Sequence, residues 1–169
     1  MLNGQILTSH LAHIDRWDTL CVDGKTMQAP RKRYYMVNKP VGYVSATNDE
    51  QHPTVLSLLP EMLRDGLHIA GRLDKNTTGL LLLTNDGRWS RAISSPASKV
   101  GKDYLVGTRD KITEDYVTAF AQGMYFSYEG ITTQPATLRI LGERLARLTI
   151  YEGKYHQIKR MFGRFRNPV

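Results

Sequence analysis

The segment GRLDKNTTGLLLLTNDG, residues 71–87, places residues that could do chemistry next to residues that could hold them still. Arg72 and Asp74 follow Gly71 and precede Leu80–Leu83, an apolar run closed by Thr84 and the turn residues Asn85-Asp86-Gly87. Glycine permits a sharp approach of the chain, and a nearby arginine favours the ionised form of a carboxylate. Asp74 is therefore a candidate nucleophile. It is equally a candidate turn aspartate, bonding through its side chain to the backbone amides of Asn76 or Thr77. Residue types alone leave both readings open.

Other chemistries find less support. Gly71 and Gly79 are too far apart for a phosphate loop, and no Gly-Lys-Ser/Thr follows them. The histidines at 10, 13, 52, 68 and 156 include no HExxH pair. His10 and His13 lack a carboxylate-rich partner segment, so no metal site is expected. There is no Gly-x-Ser-x-Gly elbow, and the single cysteine, Cys21, reads as a strand position within Thr19–Val22. One cysteine excludes an internal disulfide and fits a reducing, cytoplasmic setting. By elimination, a nucleophile in this chain is expected to be a carboxylate.

Charge indicates the kind of partner. Lys and Arg number 23 against 16 Asp and Glu, a net charge of +7. Arg31-Lys32-Arg33 form one basic cluster; Lys154, Lys159, Arg160, Arg164 and Arg166 form another. They flank the GRLD segment on both sides, a distribution that favours RNA or DNA over a uniformly solvated basic surface. No apolar run approaches a membrane span, and the N-terminus has no basic segment followed by an apolar core. Neither membrane association nor a secretory signal is expected.

The elements that would position these residues mix without a regular β-α-β alternation, which predicts an α+β domain on a largely antiparallel sheet. Strands are expected at residues 19–22, 34–37, 43–46, 67–70, 80–84, 104–106, 136–140 and 146–151, with Asp23-Gly24-Lys25 and Lys39-Pro40-Val41-Gly42 as turns. Helices are expected at 54–59 (short, ending at Pro60), at 88–94, after a Thr113 cap with Glu114 and Asp115 in its first turn, and over about ten residues from Lys154. On the last helix Ile158, Met161, Phe162 and Phe165 form an apolar stripe, while His156, Arg160 and Arg164 line another face. Leu80–Leu83 are expected in the core. Residues 1–29 read as a small β-like piece with a linker, and 30–169 as the main domain.

Four motifs in order carry a resemblance: KPVG (39–42), GRLDKNTTGLLLLTNDG (71–87), GKDYLV (101–106) and EGKYHQIKRMF (152–162). Together they resemble the pseudouridine synthases of the RsuA family over residues 34–166, and HPTVL (52–56) resembles the branch that modifies 16S ribosomal RNA. The resemblance implies the pseudouridine synthase fold, a central, mostly antiparallel mixed sheet with flanking helices and a catalytic cleft. It implies an isomerisation in which a uridine flips out, loses its glycosidic bond and is rejoined through carbon 5, with no metal and no cofactor. A covalent carboxylate route divides one hard displacement into easier steps.

By the same resemblance Asp74 is the catalytic carboxylate. Tyr104 stacks on the uracil and assists at carbon 5, and Lys159, or alternatively Arg160, pairs with Asp74. Arg72 would fill the space of the flipped base or hold a phosphate. Lys39, Arg31, Lys32, Arg33, Lys102, Arg160 and Arg164 are expected to meet RNA, with the basic clusters unpaired inside the protein. Small-subunit ribosomal RNA, free or partly assembled, is the expected partner of a monomer. The alternatives are a non-catalytic RNA-binding descendant and a carboxylate glycosidase acting on a small sugar or nucleoside.

Relatives usually carry a complete S4-like domain before the catalytic domain and further residues after HQIKRMF. Residues 1–29 resemble only the end of the former. The sequence thus predicts truncation at both ends and an uncovered apolar stripe on the last helix.

Overall fold

The computed structural model describes all residues from Met1 to Val169. They form two compact units, Met1–Ser90 and Arg91–Val169. The α+β class expected from the sequence holds, and every pair of named strands is antiparallel. The pairing differs from one central sheet. Each unit has its own three-stranded sheet and its own two-stranded hairpin. The parallel component is a single bridge between Val44 and Thr54.

In the first unit, β1 (Leu20–Val22) and β2 (Lys25–Gln28) form the hairpin. Its two turn residues, Asp23 and Gly24, both have positive φ, 48° and 76°, the backbone that matches the twist of a tight hairpin. Strand β3 (Tyr34–Lys39) follows, then a 3-10 turn at Val55–Leu58 and the short helix α1 (Glu61–Arg64). Strands β4 (His68–Ala70) and β5 (Gly79–Thr84) complete a sheet of order β3-β5-β4. The β3–β5 register runs from Tyr34 opposite Thr84 to Lys39 opposite Gly79. Helix α2 (Gly87–Ser94) begins in this unit.

Two expectations change here. Leu80–Leu83 are not uniformly core: Leu81 and Leu83 are buried, whereas Leu80 is 64% exposed. Strand side chains alternate between faces, and only one face of this antiparallel sheet meets the core of Val55, Leu56 and Leu67. The strand expected over 43–46 reduces to the Val44 bridge, with Val44 N–H donating to Pro53 and Val55 N–H donating to Val44. Its neighbours bond elsewhere, as the site below shows.

The second unit contains β6 (Lys102–Gly107), α3 (Glu114–Gln122), β7 (Tyr125–Phe126) and β8 (Ile131–Thr132), then β9 (Thr137–Gly142), β10 (Leu145–Ile150) and α4 (Gln157–Gly163). Its sheet has the order β6-β10-β9. Thr113 precedes α3 as expected but makes no side-chain cap bond. Gly123 ends the helix at φ 80°, where an added Cβ would lie 2.4 Å from the Thr133 carbonyl oxygen. Only glycine fits there.

The apolar stripe of α4 is covered, contrary to expectation. Met161 and Phe162 are fully buried, and Ile158 and Phe165 pack against the same core. Phe162 meets Phe120 edge-on at 5.1 Å, and Phe165 stacks on Tyr116 at 3.9 Å. Beyond α4 the buried Asn167 accepts from Asp110 N–H at 2.8 Å and donates to the Asp110 carbonyl (3.0 Å) and the Tyr116 hydroxyl (3.1 Å). Helix α3 supplies the cover that the sequence reading sought in a later segment.

Candidate active site

The Asp74 loop leaves β4 through Gly71, at φ 103°, and enters β5 at Gly79, at φ 130°. Both conformations favour glycine, so the two glycines of the motif shape the loop. The Thr77 amide donates to the main-chain carbonyl of Asp74 at 2.9 Å and closes a tight turn. The residues on either side of Asp74 are pinned. Ser45 Oγ donates to the Leu73 carbonyl at 2.8 Å and accepts from the Leu73 amide at 3.0 Å. On the other side the Lys75 carbonyl accepts from Gly42 N–H at 2.9 Å and from Lys39 Nζ at 3.2 Å.

Lys39 anchors this arrangement. Its side chain is fully buried, and Nζ also donates to the carbonyls of Pro40 (2.9 Å) and Tyr43 (2.8 Å). Burial holds the ammonium below the usual lysine range, while the charge of Asp74 pulls it part of the way back. A buried amine donating to three carbonyls does not reach a phosphate. The expectation that Lys39 contacts RNA is therefore corrected: the lysine of KPVG ties the turn at 40–43 to the loop of Asp74. Neither Lys39 nor Ser45 was foreseen as a positioning residue. The signal available was KPVG itself, a lysine beside a proline turn within a motif.

Asp74 is half-buried and Arg72 is exposed on the same loop. Tyr104 and Lys159 lie in the second unit. Tyr104 sits on β6 opposite the buried Leu148, with its ring partly packed against that unit's core. Lys159 is exposed on α4.

The basic clusters are less free than the sequence suggests. Lys32 pairs with Asp86 at 3.0 Å and lies 5.4 Å from the centre of the Trp17 ring. Arg33 donates to the Leu63 carbonyl at 3.3 Å and to that of Asp65. Arg160 pairs through both terminal nitrogens with Glu129 and stacks over Phe126 at 3.8 Å. Lys102 is half-buried and donates to the Val100 carbonyl at 3.3 Å. Arg31 and Arg164 are exposed. The expected unpaired clusters are thus partly internal braces, because Lys32, Arg33, Lys102 and Arg160 each meet a carboxylate or carbonyl within their own unit.

Asp86 was read only as a turn residue, yet it is a buried hub. It accepts from Lys32, from the Tyr34 hydroxyl at 2.9 Å, and from the amides of Arg88 (3.1 Å) and Trp89 (3.2 Å) at the start of α2. The bond from Lys32, supported by the Trp89 amide and Tyr34, holds its carboxyl at about 2 against the cost of burial. Asn85 beside it accepts from Arg33 N–H and donates to the Arg31 carbonyl, both at 2.8 Å. The Asn-Asp pair after β5 thereby fixes the backbone of the Arg31–Arg33 cluster.

Residues 33–163 match the family described as RNA pseudouridylate synthase. The ribosomal small subunit pseudouridine synthase A of Pseudomonas aeruginosa is 52% identical over 99% of this chain and 74% of its own length. The protein of the same name from Salmonella typhimurium is 49% identical over 81% of this chain and 59% of its own length. A solved structure titled as a pseudouridylate synthase superposes over the whole chain with a TM-score of 0.79 at 40% identity, spanning 73% of that structure. The chain belongs to the RNA pseudouridylate synthase family, and its enzymatic class is that of an isomerase. Its structure contains no helix long and apolar enough to cross a membrane.

Proposed function

We propose that this protein isomerises uridine to pseudouridine in small-subunit ribosomal RNA, with Asp74 as the reacting carboxylate. The observation that carries the proposal is the Asp74 loop. Leu73 and Lys75 are bonded by Ser45, Gly42 and the buried Lys39, so the main chain that carries the Asp74 carboxylate is held in one place. Positioning of this kind supplies a large part of the barrier reduction in covalent catalysis. The substrate is inferred from relatives named for the ribosomal small subunit that are 41–52% identical over 99% of the chain.

Tyr104 and Lys159 are assigned the roles that the motifs GKDYLV and HQIKR imply: stacking and proton removal at carbon 5 for Tyr104, and support of the ionised Asp74 for Lys159. Arg72, Arg31 and Arg164, all exposed, are the first candidates for phosphate contacts. Residues 1–29 are read as the tail of an S4-like RNA-binding domain and 30–169 as catalytic, in a cytoplasmic monomer. No cofactor enters this reading.

Release of tritium from carbon-5-labelled uridine in a 16S ribosomal RNA transcript tests the proposal. The protein should release label, and Asp74→Asn should abolish release while RNA affinity stays close to normal. Label release by the Asn variant at a rate near that of the unsubstituted protein would overturn the role of Asp74.

A further inference from the structure

The chain passes from β10 into α4 through EGKYHQIKR, a segment with two buried polar side chains, Glu152 and Gln157. Glu152 Oε1 accepts from Gln157 Nε2 and from the Gln134 amide, both at 2.9 Å. Gln157 Oε1 accepts from the Lys154 amide at 2.8 Å, and the Lys154 ammonium lies 3.7 Å from Glu152 Oε2. The pair ties together the end of β10, the segment before β9 and the first residue of α4. Between its two members the chain reverses at His156, whose φ of 47° is left-handed and rare outside glycine. Such a backbone persists where its surroundings over-determine it.

Apolar side chains at 152 and 157 would cover the same core with no polar groups to satisfy. What a fully bonded polar pair adds is a single fixed arrangement. Helix α4 needs one, because it has only seven residues and His156 supplies no side-chain cap. Gln157 and Met161 share its buried face, and Nε2 of Gln157 lies 3.9 Å from Met161 Sδ. On the flank, Arg160 is held by Glu129 and by the Tyr155 carbonyl at 3.3 Å. At 3.6 residues per turn, Lys159 lies about 160° around the helix from Gln157. Anchors at 157, 160 and 161 thus fix the rotation of the turn that carries this lysine.

We propose that Glu152 and Gln157 are positioning residues for the isomerisation: they fix the direction of Lys159, and their effect on the reaction passes through that lysine. The proposal rests on the role given to Lys159 above.

Single-turnover tritium release at saturating RNA, measured as a double-variant cycle, tests it. Gln157→Leu keeps most of the bulk and removes the bonds to Glu152 and Lys154. The rate should fall by about tenfold to a hundredfold, the range for a slightly misplaced group. The RNA concentration giving half-maximal rate should stay nearly constant. In a Lys159→Met background the same substitution should cause almost no further loss. Glu152→Gln keeps the shape and one acceptor oxygen, and should repeat the pattern at smaller size. It carries the comparison should Gln157→Leu melt below the assay temperature. Equal losses in both backgrounds would mean that the pair only holds the fold, and would overturn the proposal; so would an unchanged rate in both variants. An undiminished rate in Lys159→Met alone counts against the role of Lys159 and takes this inference with it.

Discussion

The buried ammonium of Lys39 donates to the main-chain carbonyl of Lys75 at 3.2 Å, one residue past Asp74. Replacing Lys39 with methionine keeps the bulk but removes the donor to the carbonyls of Pro40 and Tyr43 and leaves that of Lys75 with Gly42 N–H alone. The expected cost is about 1–3 kcal/mol of stability, as for buried polar groups left unpaired. Single-turnover rate should fall because the loop loosens. The salt dependence of RNA binding should not change, since Lys39 meets no phosphate. A shallower salt slope for Lys39→Met would return this lysine to the RNA surface.

Ser45 makes a narrower test of the same idea. Ser45→Ala removes both bonds to Leu73 with little change in volume, so about 1–2 kcal/mol of stability should be lost. The rate at saturating RNA should drop while the RNA concentration giving half-maximal rate stays nearly constant. That split marks a positioning residue. A rise in the half-saturating concentration at constant maximal rate would instead mean that Ser45 contacts RNA.

Much of the fold was legible because strand and helix patterns are local. Strands β3, β5, β9 and β10 fall close to their expected places, and the tight Asp23-Gly24 turn was read from residue types. What failed depended on partners distant in sequence. Residues 43–46 have strand-like composition but pair only at Val44, because Ser45 bonds Leu73 and Gly42 bonds Lys75. Four consecutive leucines cannot reveal that one sheet face is open, so Leu80 looked like core. Hairpin β7–β8 is too short to leave a pattern. The candidate carboxylate could be named from GRLD; the groups that hold its loop could not, since they lie about 30 residues away.

Asp86 sets an acid limit on stability. Its folded-state carboxyl titrates at about 2 against an ordinary 3.8. A depressed carboxyl contributes stability that is complete above the unfolded value and is lost as pH falls through the folded one. The window is therefore from about pH 4 down to about pH 2. Denaturant midpoints for the unsubstituted protein should fall steeply across that window, and Asp86→Asn should flatten this part of the curve while lowering the plateau above it. Parallel curves for the two proteins would show that Asp86 does not govern the transition.

The basic residues should separate by their internal partners. Arg164 is exposed, and Arg164→Gln should lower the salt slope of RNA binding by about 0.7–0.9, one phosphate contact. Lys32 and Arg160 are held by Asp86 and Glu129, so Lys32→Gln and Arg160→Gln should lower the melting temperature and leave the slope nearly unchanged. Slope losses of equal size at all three positions would mean that RNA displaces the internal carboxylates.

The last helix gives the largest expected stability effect. Short helices are marginal in isolation and depend on tertiary packing of one face. Here that face is Met161 and Phe162, both fully buried, flanked by Phe165 stacked on Tyr116. Phe162 touches Phe120 and Tyr116 of α3, so Phe162→Ala opens a cavity between two helices and should cost about 3–5 kcal/mol. Asn167 secures the same region from outside the helix through its three bonds to Asp110 and Tyr116. Asn167→Ala should therefore cost less, about 1–3 kcal/mol for the groups left unpaired. Because both residues hold one helix against one partner, the double variant should lose less than the sum of the two single losses. Chemical denaturation of the four proteins measures this directly. Full additivity would mean that the helix and the tail after it are held independently. A Phe162→Ala loss below about 1 kcal/mol would show that α4 does not depend on its apolar face.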